Sequence, residues 1–168
     1  MKTRLLQLPA VLLIGALSLT AQAGALSDYL ENKIIDYVFR GQTFTAPTTT
    51  YFALATTSGN DAGCGTEVSG GSYTRVAVTS SMANWAGTQS AGSTTASSGT
   101  GGTTSNNATI TFPAPTASWG TVVEYCVFDA STAGNLLFRA ALTTSKTVNN
   151  GDAAPSFAAG SSTLQIDN

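Results

Sequence analysis

The sequence predicts a mainly β protein, an antiparallel β-sandwich of about seven or eight short strands with one N-terminal α-helix. Three observations predict it. Short runs rich in β-branched and aromatic residues alternate their apolar side chains, as in TYFALAT and YTRVAVT. Gly, Asn, Asp and Pro punctuate these runs at short intervals, which is the pattern of turns between strands. A single stretch near the start, 26–40, repeats apolar residues at helical spacing instead.

Taken in order, the chain opens with Lys2 and Arg4, then an apolar run from Leu5 to Leu17 broken by Gln7 and Pro9, then Ala21-Gln22-Ala23. A basic start, a short apolar run and a small-x-small site form a secretory signal peptide over residues 1–23. The run is too short and wrongly flanked for a stable membrane span. The expected product is a single domain from Gly24 to Asn168, secreted to the extracellular space or cell surface. Ser27 or Asp28 can cap the helix, and Leu26, Leu30, Ile34, Tyr37 and Val38 form its apolar face before Gly41 stops it. That face either packs on the sheet or docks on a neighbouring subunit.

Beyond Pro47, Thr49 to Thr56 reads as a strand, and so does Tyr73 to Thr79. Ser58 to Gly71 between them is a Gly-rich loop; its Asp61 and Glu67 lack the regular spacing of an EF-hand calcium loop. Ser, Thr, Gly, Ala and Asn dominate residues 86–107, which predicts a flexible exposed loop with at most a weak strand near Trp85, since so few apolar groups cannot offset the entropy of ordering. Trp85 at its start is either a core anchor or part of a contact surface. Ala108 to Phe112 is a short strand.

The densest apolar block follows Trp119. Thr121 to Phe128 and Leu136 to Ala141 read as a hairpin around the turn-rich Asp129 to Asn135. Alternation places Val123, Tyr125 and Val127 on one face of the first strand, and Val122, Glu124, Cys126 and Phe128 on the other. In the second strand it sets Leu137, Arg139 and Ala141 against Leu136, Phe138 and Ala140. With large apolar groups on both faces, the first strand belongs in the middle of a sheet. Lys146 to Val148, Ser156 to Ala158 and Thr163 to Ile166 are short closing strands.

The chemistry is narrow. The chain has no histidine, so it cannot supply a Ser-His-Asp or Cys-His nucleophile system or a histidine-ligated metal. Two cysteines cannot build a four-cysteine zinc site, and no glycine-rich loop ends in the Lys-Ser/Thr of a phosphate cradle. No metal and no cofactor are expected. Glu67, Glu124 and Asp129 are the acids nearest the apolar blocks and the only basis for a carboxylate hydrolase. Glu124 is the foremost of them, and its competing reading is an ion pair with Arg139 across the hairpin. Charged residues are 10% of the chain and the formal net charge is −2, so neither nucleic acid nor an anionic membrane suits it as a partner. Export places Cys64 and Cys126 in an oxidising compartment. An intramolecular disulfide is the leading reading, with two free thiols or bridges between subunits as the others. Trp85, Trp119 and Tyr73 are candidates for stacking on surface glycans.

Several segments carry a resemblance. ALSDYLENKIIDYVFRG at 25–41, TYFALATT at 50–57, DAGCGTEVSGGSYTRVAV at 61–78 and TITFPAPTASWGTVVEYCVFDASTAGNLLFRAALTTSKTVNNGD at 109–152 resemble small phage tail-fibre-like virion proteins. The resemblance runs in order through nearly all of the chain after residue 24. It implies a β-rich structural subunit, no reaction and no cofactor, and it carries over no catalytic residue. The chain departs from that pattern in its leader, in Cys64 and Cys126, and in the Ser/Thr/Gly stretch from Ser90 to Ser105. These departures suit a phage-type module recruited for export. The function expected is a non-enzymatic subunit that self-associates into an extracellular filament, coat or adhesive structure. Its contact residues would be Trp85, Leu30, Ile34 and Val38. A secreted glycan-binding module and a phage virion protein are the alternatives.

Overall fold

A long antiparallel hairpin of β7 (Gly120–Phe128) and β8 (Leu136–Val148) occupies the middle of the fold. The structure is a computed structural model and describes residues 17–21 and 24–166. Before the hairpin come β1 (Ser18–Leu19), β2 (Ala25–Leu26), α1 (Asp28–Phe39), β3 (Thr49–Ala55), β4 (Val76–Thr79), β5 (Thr103–Ser105) and β6 (Ile110–Thr111); after it come β9 (Ser156–Phe157) and β10 (Thr163–Gln165). The main sheet has the order β2-β8-β7-β3-β4. A three-stranded sheet, β1-β9-β6, and a two-stranded ribbon, β10-β5, supply the second layer. The sandwich expected from the sequence is therefore present, with β7 central. Strand pairing is antiparallel except between β1 and β9.

The core between the layers is aromatic. Phe52 stacks on Tyr125 with ring centroids 5.6 Å apart, and Phe157 reaches across from the second layer to within 5.0 Å of Tyr125. Trp85 stacks on Phe52 at 5.8 Å and is half-buried, so it packs against the core with part of its surface left open. Trp119 is buried, its indole N–H donating to the Gly71 carbonyl at 2.9 Å. Such rings contribute large buried areas and further stabilise one another by offset and edge contacts.

Strict alternation misplaces two sets of residues in the hairpin. Register shifts lie between Val122 and Glu124 and between Val127 and Phe128. The first leaves three extra residues in β8 and the second leaves one, an odd number each time, which turns the following side chains over relative to the partner strand. Val122 thus joins Tyr125 and Val127 in the main core, while Val123 is only half-buried. Leu136 joins Cys126, Phe128 and Ala53 on the opposite face, although alternation grouped it with Phe138. The brief pairing expected at Lys146 to Val148 is the end of one continuous strand, β8. Conversely, Tyr73 and Arg75 precede β4 rather than lie in it.

The serine- and threonine-rich segment is less exposed than the flexible loop expected for it, and Trp85 makes an isolated bridge to Asn106. The segment contains β5, and Ala86, Ser105 and Asn106 within it are buried. Asn106 supplies what the segment lacks in apolar groups. Its side-chain amide donates to the Ala108 and Ala158 carbonyls, each at 2.8 Å, and its Oδ1 accepts from the Ser162 N–H at 2.9 Å. A buried, well-bonded amide fixes position where few side chains can pack. At the other end, most of the leader expected at 1–23 lies outside the described residues. Leu17–Ala21, however, packs on the fold it was expected to precede, and Leu19 is 1% exposed.

Burial acts on two tyrosines. It pushes the phenols of Tyr73 and Tyr125 well above their ordinary value of 10.0, and for Tyr73 the charge of Glu67 adds to the effect. A folded-state pKa above the unfolded one gives stability that is present below pH ~10 and lost as pH rises through the folded value. Spectrophotometric titration at 295 nm is therefore expected to show these two of the five tyrosines ionising only together with unfolding. Phenolate signal from all five while the near-ultraviolet dichroism stays native would contradict this.

Candidate functional site

Helix α1 begins under tight control. Ser27 is its N-cap, accepting from the Leu30 N–H at 3.2 Å, while its hydroxyl donates to the Leu136 carbonyl. The Ser27 N–H donates to the Leu137 carbonyl at 3.1 Å, and the Asp28 N–H to the Asp61 carbonyl at 3.0 Å. Tyr29 and Leu30 pack against the core. Gly24, just before β2, is required by close approach: a Cβ there would stand 1.9 Å from the Arg139 carbonyl oxygen. The first turn is thereby clamped to β8 and to the 58–66 loop.

The rest of the helix leaves the body. No residue of α1 is buried. Ile35, Tyr37, Val38 and Phe39 are 48%, 59%, 58% and 81% exposed. At 3.6 residues per turn, these four together with Ile34 cover an arc of about 200° of the helix, and Asp36 and Arg40 occupy the remainder. The sequence expectation of one apolar face holds for Leu30 and Ile34, which are half-buried; in the last turn Ile35 and Phe39 widen that face, and Tyr37 and Val38 on it are exposed. Gly41, at φ +67°, ends the helix, and the Arg40–Asp36 ion pair at 2.9 Å lies on its outside. An apolar helix face of that width is ordinarily packed against protein. Here it projects into solvent.

The sheet edges are a second surface. β4 has β3 as its only strand partner and β6 has β9, so each leaves one edge unpaired among the described residues. A groove of about 460 Å³, lined by Ser80, Met82, Trp85, Thr104 and Ile166 among others, runs beside the β10-β5 ribbon. Of the three aromatics considered for glycans, only Trp85 borders it. Trp119 is buried, and Tyr73 is held between Phe112 and Trp119, with centroids 6.2 and 5.3 Å away.

The three candidate acids are each taken up by a separate structural bond. Glu67 binds Arg75 in a two-pronged pair of 2.9 and 2.8 Å and accepts from the Tyr73 hydroxyl at 3.0 Å. Asp129 accepts from the backbone and side-chain N–H groups of Asn135, both at 2.7 Å, and so closes the hairpin turn. Glu124 is 1% exposed beneath the 58–66 loop. It accepts from the Gly59 N–H at 2.5 Å and lies 2.7 Å from Arg139 Nε, a contact held by charge because the N–H points off the oxygen. The ion-pair reading of Glu124 is the one realised. Arg75 was not singled out in the sequence, yet it organises the turn: it donates to the Ala130 and Ala133 carbonyls and stands 3.6 Å from the Phe128 ring centre. Its signal was available, as a lone arginine between Tyr73 and an apolar strand.

Cys64 and Cys126 are bonded to each other, with Cα atoms 6.1 Å apart. The intramolecular reading is thus the correct one. The bridge fastens the 58–66 loop to the outer face of β7. Gly65 in that loop leaves no room for a side chain, since a Cβ would meet the Thr57 carbonyl oxygen at 1.7 Å. Among the described residues, no helix is long and apolar enough to cross a membrane.

The arrangement is one of surfaces and staples, and the comparisons with known proteins point the same way. No curated protein matches the sequence. A family model described as podophage GP4 fiber I protein gp80 matches residues 25–165, from the start of β2 to the end of β10. The match spans the helix, the sandwich and both cysteines, and on that breadth the chain belongs to the podophage GP4 fiber I protein gp80 family of phage fibre proteins.

Proposed function

We propose that the chain is an exported, non-enzymatic structural subunit that self-associates through the C-terminal half of α1 into a homo-oligomeric filament, coat or adhesive structure. The observation that carries this reading is the broad patch of exposed apolar side chains at Ile35, Tyr37, Val38 and Phe39. Each such side chain contributes about 1.5–3 kcal/mol when fully buried. Four in one patch reach the range of roughly 4–15 kcal/mol that association costs in lost freedom. Family membership supports a structural role, and the engagement of Glu67, Glu124 and Asp129 in separate bonds supports the absence of catalysis. The leader pattern at 1–23 supports export.

Sedimentation and electron microscopy of the wild type and of Val38→Asp/Phe39→Asp test the reading. The double variant is expected to weaken self-association by at least ~100-fold, the equivalent of about 2.7 kcal/mol. Its far-ultraviolet dichroism should be unchanged, because Val38 and Phe39 are not among the residues packed on the core. Equal assembly of the two proteins, or a wild type that stays monomeric at high concentration, would reject the helix as the contact.

A further inference from the structure

The seat of β1 carries an inference that goes beyond the helix contact and rests on the export reading, because it needs the chain to be cut after Ala23. Leu17–Ala21 fills a groove between β8 and β9. Ser18 and Leu19 pair in parallel with Ser156 and Phe157. Ser156 N–H donates to the Leu17 carbonyl at 3.1 Å, Thr143 N–H to that of Thr20 at 3.0 Å, and Ala21 N–H to that of Ser161 at 3.3 Å. Leu19 is 1% exposed and belongs to the main core. Cutting after Ala23 severs this strand from the domain. It leaves an unpaired edge on β9 beside an apolar slot, a combination that recruits another extended segment.

The same chain offers such a segment. Thr43-Phe44-Thr45-Ala46 repeats the pattern of Ser18-Leu19-Thr20-Ala21: a hydroxyl residue, a large apolar residue, threonine, alanine. It lies between α1 and β3 outside any helix or strand, and its backbone has no hydrogen-bond partner among the described residues. Thr43, Thr45 and Ala46 are exposed and Phe44 is half-buried. We propose that the β8–β9 groove is an acceptor site, filled by Leu17–Ala21 in the uncut chain and by Thr43–Ala46 of a second copy once the leader is removed. The leader's tail would then hold subunits apart until export.

The test uses the full chain with a site-specific protease site in place of Gln22-Ala23, purified folded and then cut. Sedimentation before and after cutting reads the mass gained. The expected result is a rise in mass on cutting that Phe44→Asp abolishes and that excess peptide spanning residues 17–21 reverses. Unchanged mass on cutting, a rise that survives Phe44→Asp, or a 17–21 fragment that stays bound one to one would overturn the proposal. Phe39→Asp separates the two contacts. If it abolishes all association while Phe44→Asp changes nothing, the groove is rejected and the helix reading stands. If Phe44→Asp alone removes the gain on cutting, the groove is upheld whatever the helix does.

Discussion

Replacing Cys64 and Cys126 together with alanine is expected to lower the unfolding free energy by about 4 kcal/mol, from the entropy of the loop the bridge closes. The two cysteines are 62 residues apart in sequence, and the closure term grows only slowly with that length. Cys126 is fully buried among Ala53, Phe128 and Leu136, so the alanine there adds a small packing loss to the entropic one. In a chain of this size the melting temperature should fall on the order of 10 °C. Thermal unfolding with and without reductant, beside the double variant, measures it. A loss below ~1 kcal/mol would mean that Gly59, Glu124 and Arg139 hold the 58–66 loop without help from the bridge.

Arg139→Met is expected to cost about 3–5 kcal/mol, because it leaves the Glu124 carboxylate buried with no cation. Arg139 also donates to the Gly59 carbonyl at 2.8 Å and stands 3.7 Å from Asp61, so its loss loosens the loop as well. Adding Glu124→Gln should recover most of the deficit. The amide removes the charge, and its oxygen still accepts from the Gly59 N–H. Urea unfolding of the wild type, both single variants and the double variant closes the cycle. Equal stability of Arg139→Met and the double variant would show that the lost loop contacts, and not the stranded charge, carry the cost.

The elements legible in the sequence are those whose signal is local. Helix α1 was readable because its apolar spacing, a capping serine and a terminal glycine all agree. β7 was readable as central because both of its faces are apolar. What escaped depends on partners distant in sequence. The bulges at Val122/Glu124 and Val127/Phe128 arise from how β7 meets β8, and no residue in either strand announces them. β5 has no apolar run of its own; it exists because β10 pairs with it and Asn106 anchors its end. Tyr73 lost its place in a strand to a hydrogen bond, since its hydroxyl accepts from the Leu54 N–H at 2.9 Å. The candidate surface was half legible. The apolar helix residues were visible, but only the fold tells which of them the sheet leaves uncovered.

The clamp at the base of α1 bears on how an assembled subunit would carry mechanical load. Tension applied through the helix enters at Ser27 and Asp28 and passes directly into β8. From there it spreads along the full ladder to β7, which is riveted to the 58–66 loop by a covalent bond. Pulling along the strands loads the whole ladder in shear, so rupture would require many bonds to fail together rather than one after another.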